Sequence, residues 1–255
     1  MKKLENKISV VTGAASGMGR SIALLFAAQG SKVVATDIDR KGLDSLEKEI
    51  RNAGGDVTIM TADMAKQNEV EKIFDIAVDR YGTVDILVNN AGIMDKMDAV
   101  GDVTDDVWKQ VMDINVNGPF WATRSAVNIM LKKGSGNIIN ISSIGGLRGA
   151  RAGAAYTTSK HALMGLTKNT AFMYAKKGIR CNAIAPGGVA TNMAKDIDME
   201  KLPKLATEQI LPGMATNPRY GEANEIATAA LFLASDDASF VNGAILVADG
   251  GWIAQ

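Results

Sequence analysis

Tyr156 and Lys160 stand four residues apart and are the first side chains in this sequence whose types and spacing suggest chemistry. They lie in A-A-Y-T-T-S-K-H-A-L-M-G-L, a stretch that reads as helix, and on a helix positions i and i+4 share one face. The phenol and the ammonium can therefore point into one pocket. A free phenol titrates near pH ~10 and is a poor proton carrier at neutrality. A cation at ~4 Å, in an effective dielectric near 20, favours the phenolate by about 4 kcal/mol, or roughly three pKa units before desolvation opposes it. The expectation is a tyrosine tuned to act as general acid or base near neutral pH. Y-x-x-x-K also occurs by chance, as a surface lysine above a half-buried tyrosine, so the surrounding pattern has to decide.

The elements that would position this pair alternate regularly. Strands are expected at Ile8–Thr12, Lys32–Thr36, Asp56–Thr61, Ile86–Asn89, Gly136–Ile141, Arg180–Ala185 and Ala244–Val247. Several are continuous apolar runs, as in strands covered on both faces. Helical patterns fill the intervals at Gly17–Gln29, Arg40–Ala53, Gln67–Tyr81, Asp105–Lys133, Ala154–Lys177 and Glu222–Ser235. The alternation implies an α/β fold: a doubly wound, Rossmann-type parallel sheet of about seven strands with helices on both faces. No linker, charge block or repeat interrupts it, so residues 1–255 read as a single domain. Gly187–Asn217 has weak periodicity and reads as an insertion, a lid over a substrate.

The composition removes several function classes. The 255 residues are 47% apolar and 22% charged, values of an ordinary globular protein. Lys plus Arg and Asp plus Glu balance at 28 each, which argues against a nucleic-acid surface. The lone cysteine, Cys181, permits no internal disulfide and is expected in the core, so a reducing, cytoplasmic setting is expected. The N-terminus runs straight into a strand pattern without a signal-peptide h-region, and no apolar run approaches the ~18 residues of a membrane span. No metal is expected. His161, the single histidine, lies one step beyond Lys160 and so about 100° around the helix, which makes it a structural residue.

The first strand–helix turn, I-S-V-V-T-G-A-A-S-G-M-G, places Gly13, Gly17 and Gly19 as G-x3-G-x-G. Gly13 permits a tight turn, while Gly17 and Gly19 let a pyrophosphate approach backbone N–H groups at a helix N-terminus. The spacing differs from the familiar G-x-G-x-x-G. Asp37 ends the next strand, where a carboxylate accepts hydrogen bonds from the adenosine ribose of NAD and repels the 2′-phosphate of NADP. NAD is therefore expected, with Arg40 and Lys41 near enough to soften the preference.

Together these features resemble the short-chain dehydrogenase/reductase family, in its main branch of roughly 250 residues. The resemblance rests on T-G-A-A-S-G-M-G (Thr12 to Gly19), N-N-A-G (Asn89 to Gly92), Asn115 in I-N-V-N-G, Ser143 placed 13 residues before Tyr156, and P-G-G-V-A-T (Pro186 to Thr191). The neighbouring Ser142 is rejected on that spacing. The resemblance implies an NAD(H)-dependent oxidoreductase that interconverts a secondary alcohol and a ketone. It makes Tyr156 the proton carrier, with Ser143 on the substrate oxygen and Lys160 lowering the phenol's pKa and binding the nicotinamide ribose. Asn115 would support a water chain from Lys160 to solvent. Cofactor contacts are implied at Gly13, Ser16, Gly17, Met18 and Gly19, at Asp37 and Ile38, and at Asp63 and Met64. Further contacts are implied at Asn89, Ala91, Gly92, Pro186, Gly187, Val189 and Thr191, besides Tyr156 and Lys160 themselves.

The substrate is expected to be a medium-sized, largely apolar ketone or alcohol. Its walls would come from Ile93 and Met94, Ile144 to Leu147, Gly188, and the Met193 to Met214 segment with its methionines Met193, Met199 and Met214. Arg148 and Arg151 either meet an anionic substrate group or are solvated. Apolar residues on more than one helix face, such as Phe120, Trp121, Phe172, Met173 and Tyr174, suggest a homotetramer, with Trp252 and Ile253 in a second interface. Two other readings stay open: a 3-oxoacyl-carrier-protein reductase using NADPH, and a non-catalytic NAD-binding sensor or scaffold. Asp37 and the zero net charge speak against the first, and the complete Asn115, Ser143, Tyr156, Lys160 set against the second.

Overall fold

The computed structural model describes residues 2–191 and 202–254. Its strands form where the sequence supplies short apolar runs: β1 (Ile8–Thr12), β2 (Lys32–Asp37), β3 (Val57–Thr61), β4 (Ile86–Asn89), β5 (Gly136–Ile141), β6 (Ile179–Pro186) and β7 (Ile245–Ala248). All pair in parallel, in the order β3-β2-β1-β4-β5-β6-β7. The winding direction reverses between β1 and β4, which pair with Val10 beside Leu87. In doubly wound sheets the crevice at this reversal, beyond the carboxyl ends of the strands, is where ligands bind.

Alternate strand residues feed two cores. On one face Val11, Val33, Val88, Ile139 and Ile184 pack against α1 (Gly17–Ala28), α2 (Arg40–Asn52) and the helix Ala223–Ala234. The spacing of Leu43, Leu46 and Ile50 shows why α2 is helical: one turn-spaced row goes into the core. On the other face Val10, Val34, Leu87, Ile138 and Cys181 meet α3 (Gln67–Tyr81) and α5 (Gly118–Lys133). Cys181 is a core residue, as expected, and burial pushes its thiol up to about 12, which makes it inert.

The structure changes the expected elements in several places. The run 105–133 is not one regular helix. It comprises α4 (Asp105–Met112), a π-helical turn over Asp113–Asn117, and α5. Such single wide turns gather at functional sites because they re-aim a side chain, here the buried Asn115. The long helix α6 (Ala154–Tyr174) ends in a tighter turn, Ala175–Lys177. After β6 the described chain resumes as α7 (Lys204–Gln209) and α8 (Leu211–Met214), followed by α9 (Ala223–Ala234). Met193 and Met199 lie outside the described residues.

Trp252 and Ile253, expected at a subunit interface, are instead buried within the chain, where they pack on Ile144 beneath α8. The Trp252 indole N–H donates to the Gly213 carbonyl at 2.9 Å and to Thr216 Oγ1 at 3.0 Å, which ties the chain end to that helix. Phe120, Phe172, Met173 and Phe240 remain exposed. Among the described residues, no helix is long and apolar enough to cross a membrane.

Candidate active site

A cleft of about 920 Å³ opens where β1 and β4 part. Gly13, Ser16, Gly17 and Met18 line it from the first turn, Asp37 and Ile38 from the end of β2, and Asp63 and Met64 from beyond β3. Ala91, Gly92 and Met94 line it after β4, and Thr191 closes it against Gly17. Gly19 has a reason the sequence did not show. A Cβ there would lie 2.1 Å from the Gly13 carbonyl oxygen and 2.4 Å from Asn90 Nδ2, so its absence lets α1 settle onto the turn.

The floor of the cleft is stitched by Thr12 and Asn90. The N–H groups of Asn90 and Ala91 donate to Thr12 Oγ1 at 3.0 and 3.1 Å. Asn90 Nδ2 donates to the carbonyls of Thr12 and Gly13 at 2.9 and 3.0 Å. Asn90, which the sequence reading passed over, is thus the asparagine at the cleft. Asn89 is 1% exposed and points into the core, where Nδ2 donates to Asn140 Oδ1 at 2.8 Å and Thr123 Oγ1 at 3.2 Å. The expected cleft contact at Asn89 is corrected accordingly: strand alternation turns the first asparagine inward and the second toward the opening.

These residues fit a dinucleotide. The side chain of Ser16 makes no capping hydrogen bond and the first turn of α1 carries no acid, so its leading N–H groups are open to an anion. Asp37 is held by the N–H of Ala15 at 3.0 Å and of Asp39 at 3.0 Å, which fixes the carboxylate at the far end of the cleft. Pro186 ends β6, Gly187 donates its N–H to the Ala248 carbonyl at 3.0 Å, and Val189 bridges to Gly221, so this strand-end segment is fastened where it leads to Thr191. Among the described residues, no cluster of His, Cys, Asp or Glu could hold a metal ion.

The proton-carrying candidates gather beside Gly92, on the wall of the cleft. Tyr156 is 7% and Lys160 4% exposed, on the inner face of α6. Lys160 Nζ lies 5.4 Å from the Tyr156 ring centre and donates to the Ile141 carbonyl at 3.1 Å. A Cβ on Gly92 would come within 3.3 Å of that Nζ, so the ammonium reaches the cleft wall. Ser143 adjoins the phenol, and its Oγ accepts the Gly145 N–H at 3.0 Å. Ser142 instead donates to the Lys160 carbonyl at 3.1 Å, away from the phenol. Asn115 Oδ1 accepts the Ile93 N–H at 2.8 Å, while Nδ2 donates to the Ile93 carbonyl at 2.9 Å and to Ser159 Oγ at 3.1 Å. Asn115 therefore clamps the segment after β4 onto α6. His161 is exposed, with Nδ1 beside the Thr157 carbonyl at 2.9 Å.

Electrostatically the pair differs from expectation. Burial pushes the Tyr156 phenol up to about 12; the Ser143 hydroxyl opposes this and the Asp95 charge adds to it. Burial also brings Lys160 down to about 8. Desolvation is the largest cause of both shifts.

Two small apolar clusters wall the space beyond. Met97, Ala206 and Ile210 pack with Met94, Leu202 and Met214, and Ile144 packs with Leu147, Trp252, Ile253 and Met214. Met214 belongs to both. Gly188 faces Asn217 and Tyr220. Arg148 is exposed and donates to its neighbouring Leu147 carbonyl at 3.3 Å, while Arg151 stacks on Trp252 at 4.8 Å.

A parallel sheet whose first turn leaves helix N–H groups open to an anion at the switch point, with a buried tyrosine–lysine pair beside it, fits a dinucleotide-dependent oxidoreductase. A family model described as enoyl-(acyl carrier protein) reductase matches residues 13–253. The chain is 42% identical to 3beta-hydroxysteroid dehydrogenase 2 of Eggerthella lenta over 252 residues, 98% of this chain and 96% of that protein. A crystal structure of levodione reductase superposes with a TM-score of 0.88 at 36% identity, covering 97% of this chain and 98% of the other. A structure from Agrobacterium tumefaciens, provisionally assigned as a 2-deoxy-D-gluconate 3-dehydrogenase and holding NADP, superposes at 0.85 with 36% identity over 99% of this chain and 98% of its own. The chain belongs to the short-chain dehydrogenase/reductase family. It is an oxidoreductase acting on CH–OH groups, with a nicotinamide dinucleotide as cofactor.

The buried ammonium has a consequence for stability. Below about pH 8 the folded, ligand-free protein must hold Lys160 charged out of water, whereas the unfolded chain keeps it charged at no cost up to about 10.5. Lys160→Met is expected to raise the unfolding free energy of the ligand-free protein by about 1–3 kcal/mol near neutral pH, after allowance for the lost bond to Ile141. The gap should close as pH rises from about 8 to 10.5, read by urea denaturation across pH. A variant less stable than wild type near neutrality would count against this account.

Proposed function

We propose that this protein is an NAD(H)-dependent oxidoreductase that interconverts a secondary ring alcohol and its ketone on a largely apolar, steroid-sized skeleton. The observation that carries the reading is the gathering of Tyr156, Ser143 and Lys160 around one point, with the Lys160 ammonium reaching Gly92 on the wall of the cleft that Asp37 also lines. The relationship to a 3beta-hydroxysteroid dehydrogenase and the walls of Met94, Met97, Ile144, Leu147 and Met214 support the substrate class.

In this reading the N–H groups at Ser16, Gly17 and Met18 hold the pyrophosphate, Asp37 the adenosine ribose, and Lys160 the nicotinamide ribose. The nicotinamide, when bound, supplies or accepts the hydride. Tyr156 gives its proton to the carbonyl oxygen in reduction and takes it back in oxidation. Ser143 hydrogen-bonds the same oxygen, where negative charge develops as the carbonyl is reduced. A phenol held protonated well above neutrality is the correct form for a donor, so reduction suits neutral pH and oxidation an alkaline medium. Lys160 supports the phenolate that remains, and Asn115 holds the Ile93 turn against Ser159. The segment 187–217, of which 192–201 lie outside the described residues, serves in this reading as a lid over the substrate, with α7 and α8 in its described part.

Absorbance of the reduced nicotinamide, with NADH against a panel of steroid ketones, cyclic ketones, keto acids and sugars, tests the class. Turnover of the apolar ring ketones is expected, falling by at least about 10³-fold in Tyr156→Phe. Reaction with polar sugars alone would overturn the substrate class, and an undiminished Tyr156→Phe would overturn the mechanism. Asp37→Ala should lower the kcat/KM ratio of NAD to NADP by about 10-fold or more, through loss of the ribose bonds and of repulsion toward the 2′-phosphate. An unchanged ratio would remove Asp37 from cofactor selection. The exposed Phe120, Phe172, Met173 and Phe240 fit a homotetramer, to be read as four times 26.9 kDa by light scattering; a monomer mass would reject it.

A further inference from the structure

The segment 95–98 does more than line the cleft. It lies across the N-terminus of α6, the helix that carries Tyr156. That helix begins after Gly153, which has no side chain to cap it, and its first N–H groups need acceptors from elsewhere. Asp95 provides them from the loop after β4. Its Oδ1 accepts the Gly153 N–H at 3.1 Å and its Oδ2 accepts the Tyr156 N–H at 2.8 Å. Oδ1 also takes the Met97 N–H at 3.0 Å, and the Asp98 carbonyl accepts the Ala154 N–H at 2.9 Å.

The fit is close enough to exclude other residues. A Cβ on Gly153 would stand 2.6 Å from Asp95 Oδ2 and 2.7 Å from the Asp98 nitrogen. Asp95 is 6% exposed, so its carboxylate exchanges water for these N–H groups and has no reason to be there except to hold them. The same short loop carries Met94 and Met97 into the apolar wall beside Ala206 and Ile210. Substrate wall and proton donor are thus fastened through one side chain.

We propose that Asp95 is a positioning residue for the reaction. It is a capping carboxylate, supplied by the wall of the substrate pocket, that sets the place and orientation of the turn bearing Tyr156. The inference rests on the reading of Tyr156 as the proton carrier. Among the described residues, the charged groups that face the phenol are Lys160 from α6 and Asp95 from this loop. Asp98 faces Asp95 in turn, with Lys96 acting on it from the same loop. The negative charge of Asp95 holds the phenol's proton more tightly, opposite to the Ser143 hydroxyl.

The test uses the full-length Asp95→Asn and Asp95→Ala variants. Both should keep NAD affinity within about 3-fold, because the groups read as holding the pyrophosphate and the adenosine ribose belong to the first turn and the end of β2, not to this loop. Their kcat for the ring alcohol should fall by about 10- to 100-fold as the phenol loses its setting. In both, the limb of the kcat–pH profile for oxidation should move to lower pH. Ultraviolet titration of the phenol, taken as the difference from Tyr156→Phe, should move the same way with no substrate present. A cap whose charge did not act on the phenol would shift neither titration, and one that did not position Tyr156 would leave kcat near wild type. Wild-type kcat with an unmoved titration overturns the proposal. If both variants fail to fold, amide exchange on the wild-type protein decides. Slow exchange at Gly153, Ala154 and Tyr156 is expected, and rapid exchange, as at an uncapped helix start, overturns it. A wild-type protein inactive toward every alcohol and ketone would overturn the parent reading, while the titration and exchange would still judge Asp95.

Discussion

The seam between β1 and β4 is the constraint on which the site is built. Two parallel strands that part at a switch point leave backbone groups without partners, and a cleft lined by such groups would fill with water and lose its shape. Here the hydroxyl of Thr12, which accepts two N–H groups and donates to the Val88 carbonyl, and the amide of Asn90, which donates twice, satisfy them across the parting chains. The depth of the cleft follows from this, because α1 comes down onto the same turn at Gly19. The seam also transmits order to the far end. Ile93, a short step beyond Asn90, is gripped by Asn115, which reaches Ser159, whose hydroxyl donates to the Tyr156 carbonyl at 2.7 Å. The first strand–helix turn and the helix that bears Tyr156 are thus linked into one body.

That body pays in electrostatics for what it holds. A phenol and an ammonium are both buried where neither would choose to ionise, and each is displaced from its ordinary titration toward the neutral form. Such a site is stable only because the surrounding helices and strands are overdetermined by their packing on two cores. The folded protein thereby stores an unfavourable environment for both groups.

Much of this was legible in the sequence because it is local. The strands followed from apolar runs, the turn over Gly13 to Gly19 from glycine spacing, and the pairing of Tyr156 with Lys160 from helical period. What stayed hidden depends on direction or on distant partners. N-N-A-G cannot say which asparagine turns inward until the strand's alternation is fixed, so Asn89 and Asn90 exchanged parts. The run from Asp105 to Lys133 has helical spacing throughout, and only the demand for Asn115 at Ile93 reveals the wide turn within it. Trp252 looked like an interface residue because the groups that hold it, Gly213 and Thr216, lie 39 and 36 residues away in sequence. The rise of the Tyr156 pKa was misjudged for a related reason: adjacency of a cation is written in the sequence, whereas depth is a property of everything packed around it.

The solitary thiol gives the molecule an experimental asset. Cys181 is the one cysteine in the chain, sealed in the sheet and unreactive because its thiolate is disfavoured there. A maleimide or spin-label reagent therefore finds no native target on the folded surface. A cysteine introduced at an exposed place such as Ala215 would be tagged alone, in the otherwise natural sequence, with no background to subtract. The covering of the substrate space can thus be followed optically or by distance measurement in a protein altered at a single position.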